Sequence, residues 1–186
     1  ITTIAGGGFA SYPCDYGDSG SPWSDVPACG DGESARNAGF DTPWDLAVGR
    51  DGSVYVTEAG NASVRVISAD GVIRRIAGDG TGISGFSGDG GPATNAKMRG
   101  EAGVALGPDG SLYIHQFERI RRVSPQGIIT TIAGTGAFAP QCGSTTPPSC
   151  ASDQLAAQVP INTDGRNNRM AVGPDGSIYF GTYDGD

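Results

Sequence analysis

A short turn-and-strand motif occurs three times in this chain and constrains the fold more than any other feature. The copies read VGRDGSVYV at 48–56, LGPDGSLYI at 106–114 and VGPDGSIYF at 172–180, and they begin 58 and then 66 residues apart. In each copy the Asp can hydrogen-bond its own backbone, and the Gly can adopt the positive φ of a tight turn. A short apolar segment followed by such a turn and then by a β-branched run predicts a β-hairpin. Repetition at this period is typical of a propeller or an array.

Further repeated segments supply the remaining strands of each unit. A short alternating run ended by Gly occurs at 1–6 (ITTIAG), 73–78 (IRRIAG) and 129–134 (ITTIAG). Apolar runs at 64–68 and 120–124 precede the second and third copies and connect to them through turns that contain Gly. The middle unit is therefore predicted to hold four strands, near 103–107, 111–115, 119–124 and 128–133.

Four-stranded meanders in tandem, with short and nearly continuously apolar strands, predict an all-β fold, a β-propeller of antiparallel blades. Blade sheets bury both faces against their neighbours, which explains the lack of apolar/polar alternation. We expect a last strand at 1–6, full blades at 44–78 and 102–134, the start of another blade at 169–186, and inserted loops at 7–29 and 135–152. Propellers close with about four to eight blades. The chain is therefore expected to be an incomplete propeller from a longer protein, and a short chain that closes a ring by oligomerising is the alternative.

A second shared segment precedes the first strand of each unit. Residues 88–98 (GDGGPATNAKM) align without gaps on 30–40 (GDGESARNAGF), and the third copy keeps only an echo at 157–159. Residues 80–85 (GTGISG) match a Gly-x-Gly-x-x-Gly pattern, but no helix is predicted after them. A phosphate cradle needs that helix, so this stretch is interpreted as a connector.

The net charge of −8 argues against a nucleic-acid partner, which would require a basic stripe. No apolar run is long enough to insert into a membrane, and any secretory signal lies outside this sequence. The four cysteines form two local couples, Cys14 with Cys29 and Cys142 with Cys150. A disulfide in each inserted loop implies an oxidising compartment and a secreted or cell-surface protein. A metal site is the alternative reading of these cysteines, but the spacings match no zinc motif.

The sequence offers no catalytic set and no cofactor motif. His115 is the only histidine, so neither a triad nor a multi-His metal centre can be assembled, and a role at a rim or between blades is expected. The Asp-Gly pairs leave calcium as a possible ligand, although the Asp-x-Asp-x-Asp-Gly spacing is absent and most of these aspartates serve turns. Arg65, Arg121 and Arg122 are expected to form surface salt bridges. Trp44 is expected to be packed.

Alternation of loops along a meander predicts one loop-rich end. The tight Asp-Gly turns share one end of the blades, whereas the second-to-third loops and the long connectors share the other. The loop-rich end is predicted to be the partner face because binding usually resides in loops held on a rigid scaffold. Its exposed-looking candidates are Tyr16, Trp23, Glu58, Asn61, His115, Gln116, Glu118 and Asp184. Asn61 also begins an Asn-Ala-Ser glycosylation sequon.

The repeated segments together resemble the NHL repeat. The resemblance rests on Gly-Asp-Gly-Gly-Pro-Ala-Thr at 88–94, the strand–turn–strand at 103–114, and the runs at 120–123 and 129–134. The cysteine just before Gly30-Asp31-Gly32 further resembles the propellers of teneurins and Rhs-type large extracellular or toxin-associated repeat proteins. NHL repeats usually read Ala-Asp and Asn-Arg after the second strand. Glu58, Asn61 and His115-Gln116 stand near those places here, so the pocket chemistry of the family cannot be carried over.

Two functional classes fit these observations. One is a non-enzymatic extracellular scaffold that binds a protein or glycan partner, or other domains of its parent protein, through one propeller face. The other is a lyase-like or hydrolase-like propeller enzyme, with a metal or acidic site in the central channel completed by further blades. The lone histidine favours the first class. Histidines or acidic residues at the position of His115 in further blades would favour the second.

Overall fold

The computed structural model describes residues 2–6, 30–136, 156–158, 161 and 169–181. The strands are β1 Pro43–Val48, β2 Val54–Glu58, β3 Ser63–Ile67, β4 Ile73–Ala77, β5 Ala102–Leu106, β6 Leu112–Gln116, β7 Arg119–Val123, β8 Ile129–Ala133, β9 Met170–Val172 and β10 Ile178–Phe180. Blade I consists of β1–β4 and blade II of β5–β8, each paired in sequence order, and partial blade III is the hairpin β9–β10. All pairs are antiparallel. The fold is thus the all-β propeller architecture expected, incomplete in this chain. Residues 2–6, expected to be the last strand of a blade, form no strand because no described strand pairs with them.

The repeated turn has the geometry that its sequence predicts. Gly52, Gly110 and Gly176 have φ angles of 84°, 80° and 86°, in the region that Gly occupies most readily. The Asp109 carboxylate accepts hydrogen bonds from the backbone N–H of Ser111 at 3.0 Å and from its hydroxyl at 2.8 Å. The other two copies contain the same pair of bonds. The aspartates of the motif therefore serve the turn.

The connector before each full blade covers the outer edge of its fourth strand. Ahead of blade I, Gly32 N–H donates to the carbonyl of Ile73 at 2.7 Å, and Ile73 N–H donates to the carbonyl of Glu33 at 3.0 Å. Residues 90–91 pair with Ile129 of blade II in the same way. An uncovered edge strand would offer unpaired backbone groups to other chains. The connector removes that edge.

The connectors also tie consecutive blades together. Within the part of the chain that the structure describes, short 3-10 helices lie at Ala35–Asn37, Ala93–Asn95 and Ala156–Gln158. The first carbonyl of each helix accepts the N–H of the glycine that ends the preceding fourth-strand motif. These glycines are Gly6, Gly78 and Gly134, at 3.1, 3.0 and 3.0 Å. The third connector, although its sequence is degraded, therefore still accepts the hydrogen bond from the end of the preceding fourth strand.

The largest hydrophobic core lies between blades I and II. Val104 and Leu112 of blade II are buried in one cluster with Val64 and Ala77 of blade I. Strand β6 is buried along its whole length, as expected for a sheet covered on both faces. The inner strands are also joined directly, because Val104 N–H donates to a carboxylate oxygen of Asp45 at 2.9 Å.

The expectation that Trp44 is packed is wrong. Trp44 is 42% exposed, and Leu46 and Val48, which alternate with it along β1, are 61% and 62% exposed. Ala47, on the opposite face of the strand, packs against the core between the blades. Within the described residues, no blade covers the face of β1 that carries Trp44.

Candidate functional site

The loop-rich end of the structure carries the polar candidates at the ends of β2 and β6. Glu58 is the last residue of β2, and its Oε1 accepts hydrogen bonds from the backbone N–H of Asp41 at 2.9 Å and from Nδ2 of Asn61 at 3.2 Å. Its Oε2 lies 3.6 Å from Nη1 of Arg65. Burial raises the pKa of Glu58, against the opposing effects of the Asp41 N–H and of Arg65. Glu58 is therefore a structural acceptor inside blade I.

The expectation that these polar residues are exposed is wrong. All five candidates within the described residues are buried: Glu58, Asn61, His115, Gln116 and Glu118. Nε2 of Gln116 donates to the carbonyl of Arg99 at 3.0 Å, and Glu118 lies 3.8 Å from the Arg99 guanidinium. The His115 ring packs edge-on against Phe180 of partial blade III, with 5.3 Å between centroids. Neighbouring blades and connectors cover the strand ends, so polarity alone did not indicate exposure.

The buried position of Asn61 also bears on the glycosylation sequon. Nδ2, the nitrogen that would carry a glycan, donates to Glu58 and lies inside the folded chain. A glycan on Asn61 is therefore incompatible with this packing.

The expectation that the third-strand arginines form surface salt bridges is wrong for two of them. Arg65 and Arg121 are buried, not at the surface. Nε of Arg65 lies 2.8 Å from a carboxylate oxygen of Asp31, and Nη2 of Arg121 lies 2.7 Å from one of Asp89. These carboxylates come from the Gly-Asp-Gly connectors. Only Arg122 keeps the expected surface salt bridge, with Asp109 at 2.8 Å.

The connector aspartates have a second contact, with a bulge in the fourth strand. The other carboxylate oxygen of Asp31 accepts the N–H of Arg75 at 3.0 Å, and that of Asp89 accepts the N–H of Thr131 at 3.0 Å. Both N–H donors, Arg75 and Thr131, lie where the register between the third and fourth strands shifts. Sequence reasoning missed these aspartates. The available signal was their recurrence in both connectors, each followed 32–34 residues later by a third-strand Arg.

The two blades differ in charge around the buried arginine. In blade I, Arg65 faces Asp31 and Glu58, whereas Gln116 occupies the position of Glu58 in blade II. There, Nη2 of Arg121 instead donates to the carbonyl of Ser87 at 2.8 Å. Blade I thus has a second carboxylate beside its buried arginine, where blade II has a neutral amide.

At the loop-rich end of the described structure, the exposed ring of Phe86 and the half-buried ring of Phe117 each have an arginine at their face. The Arg119 guanidinium lies 3.7 Å from the ring centroid of Phe86, and that of Arg99 lies 4.8 Å from the centroid of Phe117. Phe86 and Ile83, both in the connector between blades I and II, are exposed. We name Phe86, Phe117, Arg99 and Arg119 the aromatic–arginine patch. The sequence analysis did not single out these residues.

Several predictions concern residues that the structure does not describe. Tyr16, Trp23, Asp184 and all four cysteines lie outside the described residues, as do the inserted loops apart from 135–136. Their pairing and partner roles stay predictions.

The connector at 80–85 contains no helix and none follows it directly, in agreement with its interpretation as a connector. Among the residues that the structure describes, no three His, Cys, Asp or Glu side chains are grouped as a metal site would require. In the same residues, no helix has the length and apolar character needed to cross a bilayer.

Four-stranded meander blades joined by Gly-Asp-Gly connectors define a propeller of the NHL type. The sequence matches the teneurin NHL domain family over residues 14–86 and 82–164. The chain therefore belongs to the teneurin NHL domain family.

Two solved structures with TM-scores above 0.5 agree on the fold. A structural genomics protein of unknown function from Bacteroides thetaiotaomicron matches with a TM-score of 0.59 and 20% identity, covering 77% of this chain and 33% of its own. An auxiliary nutrient binding protein from the same organism matches with a TM-score of 0.54 and 15% identity, covering 78% and 36%. Virginiamycin B lyase from Staphylococcus aureus matches with a TM-score of 0.41 and 20% identity, covering 77% and 35%. The chain spans about a third of the length of these structures.

Proposed function

We propose that this chain is part of a non-enzymatic, extracellular or cell-surface interaction domain. In this proposal the loop-rich end of the propeller binds a protein or glycan partner, or another domain of the parent protein. Membership of the teneurin NHL domain family supports the extracellular context. The two predicted disulfides, Cys14–Cys29 and Cys142–Cys150, are consistent with it because disulfides persist in oxidising compartments.

The aromatic–arginine patch is the observation that carries the proposal. Phe86 is held out toward solvent with Arg119 at its face, and Phe117 has Arg99 at its face. Aromatic residues and arginine are enriched where proteins bind one another and supply most hot spots. Phe117 lies in the second-to-third connection of blade II, Arg119 begins the third strand after it, and Phe86 belongs to the connector between blades I and II.

The buried polar network gives this end a rigid base. Glu58, Asn61 and Arg65 hold the second-to-third loop of blade I, and Gln116 holds the corresponding end of blade II against Arg99. These buried side chains contact other residues of the same chain. In this proposal they therefore position the binding surface at the loop-rich end and do not contact the partner. Binding loops commonly sit on such fixed scaffolds.

Binding of the native polypeptide to cell surfaces tests the proposal. Labelled protein is applied to cells, before and after removal of surface protein by protease or of surface glycan by glycosidase. Binding lost after only one treatment assigns the partner to that class. Replacing residues 7–29 and 137–152 by short Gly-Ser linkers is expected to abolish the contact while leaving the cooperative unfolding transition in place.

Point variants of the aromatic–arginine patch, with one control variant, test the same proposal. Phe86→Ser with Phe117→Ser is expected to weaken surface binding by tenfold or more, since each hot-spot side chain contributes about 2 kcal/mol or more. Arg50→Ser, in an exposed tight turn at the opposite end, should bind like the unaltered protein. Unchanged binding after both the loop replacements and the Phe substitutions would place the function elsewhere.

A further inference from the structure

The chain contains nine Asp-Gly bonds, and seven of them lie in the described residues. Such a bond is open to a reaction with itself, because Gly has no side chain to shield the nitrogen that follows the Asp. The Gly nitrogen bonds to Cγ of the Asp, the N–H hydrogen and the carboxyl hydroxyl leave as water, and a five-membered succinimide forms. Water then opens the ring at the former main-chain carbonyl. The main chain now runs through Cβ and Cγ, as an isoaspartate.

The fold engages the attacking nitrogen at six of the seven described bonds. In each of the six, the N–H of the Gly donates a hydrogen bond to a main-chain carbonyl, within a tight turn or from a connector to a fourth strand. The donors are Gly32, Gly52, Gly71, Gly90, Gly110 and Gly176, at 2.7–3.1 Å from their acceptors. A nitrogen held in this way attacks only after a local opening has broken its hydrogen bond.

The seventh bond, Asp79–Gly80, differs at this nitrogen. Within the described part of the chain, the N–H of Gly80 donates no hydrogen bond. The Asp79 carboxylate accepts hydrogen bonds from the N–H of Thr81 at 3.0 Å and from its hydroxyl at 2.7 Å. Asp109 accepts the same two kinds of bond from Ser111 in its turn. The two sites are therefore alike at the carboxylate and differ at the nitrogen that would attack it.

The connector around Asp79 also has the freedom that ring closure requires. It is anchored on both sides, because Gly78 N–H donates to the carbonyl of Ala93 at 3.0 Å and Gly85 N–H donates to that of Met98 at 3.1 Å. Between these anchors, none of the residues 79–84, all of them described, forms a hydrogen bond between main-chain groups. The Asp79 side chain can therefore turn toward Gly80 without breaking a strand pair.

We infer that Asp79–Gly80 is a site of spontaneous isoaspartate formation in the folded protein, and that the fold protects the other six described Asp-Gly bonds. Water is the only co-reactant, and neither step is a redox reaction. The product lengthens the main chain between Gly78 and Gly85 by one carbon. Phe86 follows Gly85 directly, so the added carbon lies in the segment that leads to this exposed ring.

Ageing of the native polypeptide at neutral pH tests this inference. Isoaspartyl methyltransferase labels the product, and peptide mapping assigns the label to each of the seven bonds. We expect isoaspartate to form at Asp79–Gly80 at least about fivefold faster than at Asp51–Gly52 or Asp109–Gly110, because those bonds must first lose a hydrogen bond. In denaturant the fold no longer protects any bond, so the rates at all seven should converge.

Asp79→Glu is the matched control, because a Glu carboxyl group does not form the five-membered ring. The label should disappear from this peptide in the variant and stay unchanged at the other bonds. Gly80→Ala is unsuitable, since Gly80 has a φ of 77° and an added Cβ would lie 3.1 Å from Cζ of Arg75. Absence of isoaspartate at Asp79–Gly80, or an even spread over the seven bonds of the native polypeptide, would overturn the inference. A preference for Asp79–Gly80 that persists undiminished in denaturant would overturn it too, because it would assign the preference to the local sequence.

Discussion

Asp31 and Arg65 are 34 residues apart in the chain, yet a carboxylate oxygen of one lies 2.8 Å from Nε of the other inside blade I. The second oxygen of Asp31 accepts the N–H of Arg75 in the next strand. One connector residue thus fixes both the third and the fourth strand. Asp89 holds Arg121 and Thr131 in blade II by the same two contacts.

Loss of the buried arginine should destabilise the fold far more than loss of its neighbour. Arg121→Met leaves Asp89 without its cation and the carbonyls of Ser87 and Lys97 without a donor. Because the side chain of Asp89 is 36% exposed, the loss comes mainly from the carbonyl acceptors left without a donor, which cost about 1–3 kcal/mol of unfolding free energy each when buried. Arg122→Met removes only a surface pair and should cost much less. Urea unfolding of both variants measures the difference, and equal losses would contradict the structural role of Arg121.

Glu58 should give blade I a pH-dependent contribution to stability that its counterpart Gln116 cannot give blade II. Burial raises the pKa of Glu58 above its unfolded value. Its contribution to stability is therefore full below the unfolded pKa and is lost as pH rises through the folded pKa. Glu58→Gln, which copies the residue at Gln116, removes this contribution. Relative to the unaltered protein, the variant should become more stable as pH rises from 4 to 8, and a difference that moves the other way would contradict the prediction.

The surface carboxylate of Asp109 should titrate unusually low. The hydrogen bond from Arg122, followed by those from Ser111, lowers the pKa of Asp109 to about 2. Arg122→Ala should raise that pKa but leave it below the ordinary value, because the Ser111 bonds remain. Asp51 provides the comparison, since bonds from Ser53 lower its pKa. Carboxyl NMR titration measures both, and an unchanged Asp109 pKa in the variant would contradict the assigned cause.

The positive φ of the repeated turn should make Gly110 costly to replace. An added Cβ at Gly110 would meet only Pro125, at 4.0 Å, so the penalty comes from the backbone. Gly110→Ala should lower the unfolding free energy by about 1 kcal/mol. Gly110→Asn should lose less, because Asn tolerates this conformation better. Gly181→Ala, with open space and no positive φ, serves as the neutral control.

The two local cysteine couples should form disulfides within their own loops. Non-reduced peptide mapping of native protein is expected to find Cys14 linked to Cys29 and Cys142 linked to Cys150, with no free thiol. Closing a loop of about 15 residues stabilises by roughly 3 kcal/mol in the chain-entropy model, and a shorter loop by less. A crossed link between the couples, or reduced cysteines, would contradict the prediction.

The strands and turns of each blade could be predicted because they depend on adjacent residues. The exposure of the polar candidates could not, because it depends on contacts with neighbouring blades and connectors. The turn at Gly110 follows from four adjacent residues, so its φ and the flanking strands could be inferred directly from the sequence. The exposure of Glu58 or His115 depends on which blade or connector covers the strand end, and alternation within one strand does not reveal that. Trp44 is the converse case, an apolar residue that is exposed because no described element covers its face of β1.

The pairing of Asp31 with Arg65 also sets where a repeat can be cut for engineering. A cassette that begins at β1 contains the buried arginine but not its counter-ion, and its fourth strand lacks the connector along its edge. A cassette that begins at Gly30 and ends at Gly78, or begins at Gly88 and ends at Gly134, keeps both. Shuffling or duplication of these blades should therefore tolerate junctions within 79–84, ahead of the residues at 85–87 that contact the following connector and blade. Junctions between a connector and its own first strand should be rejected.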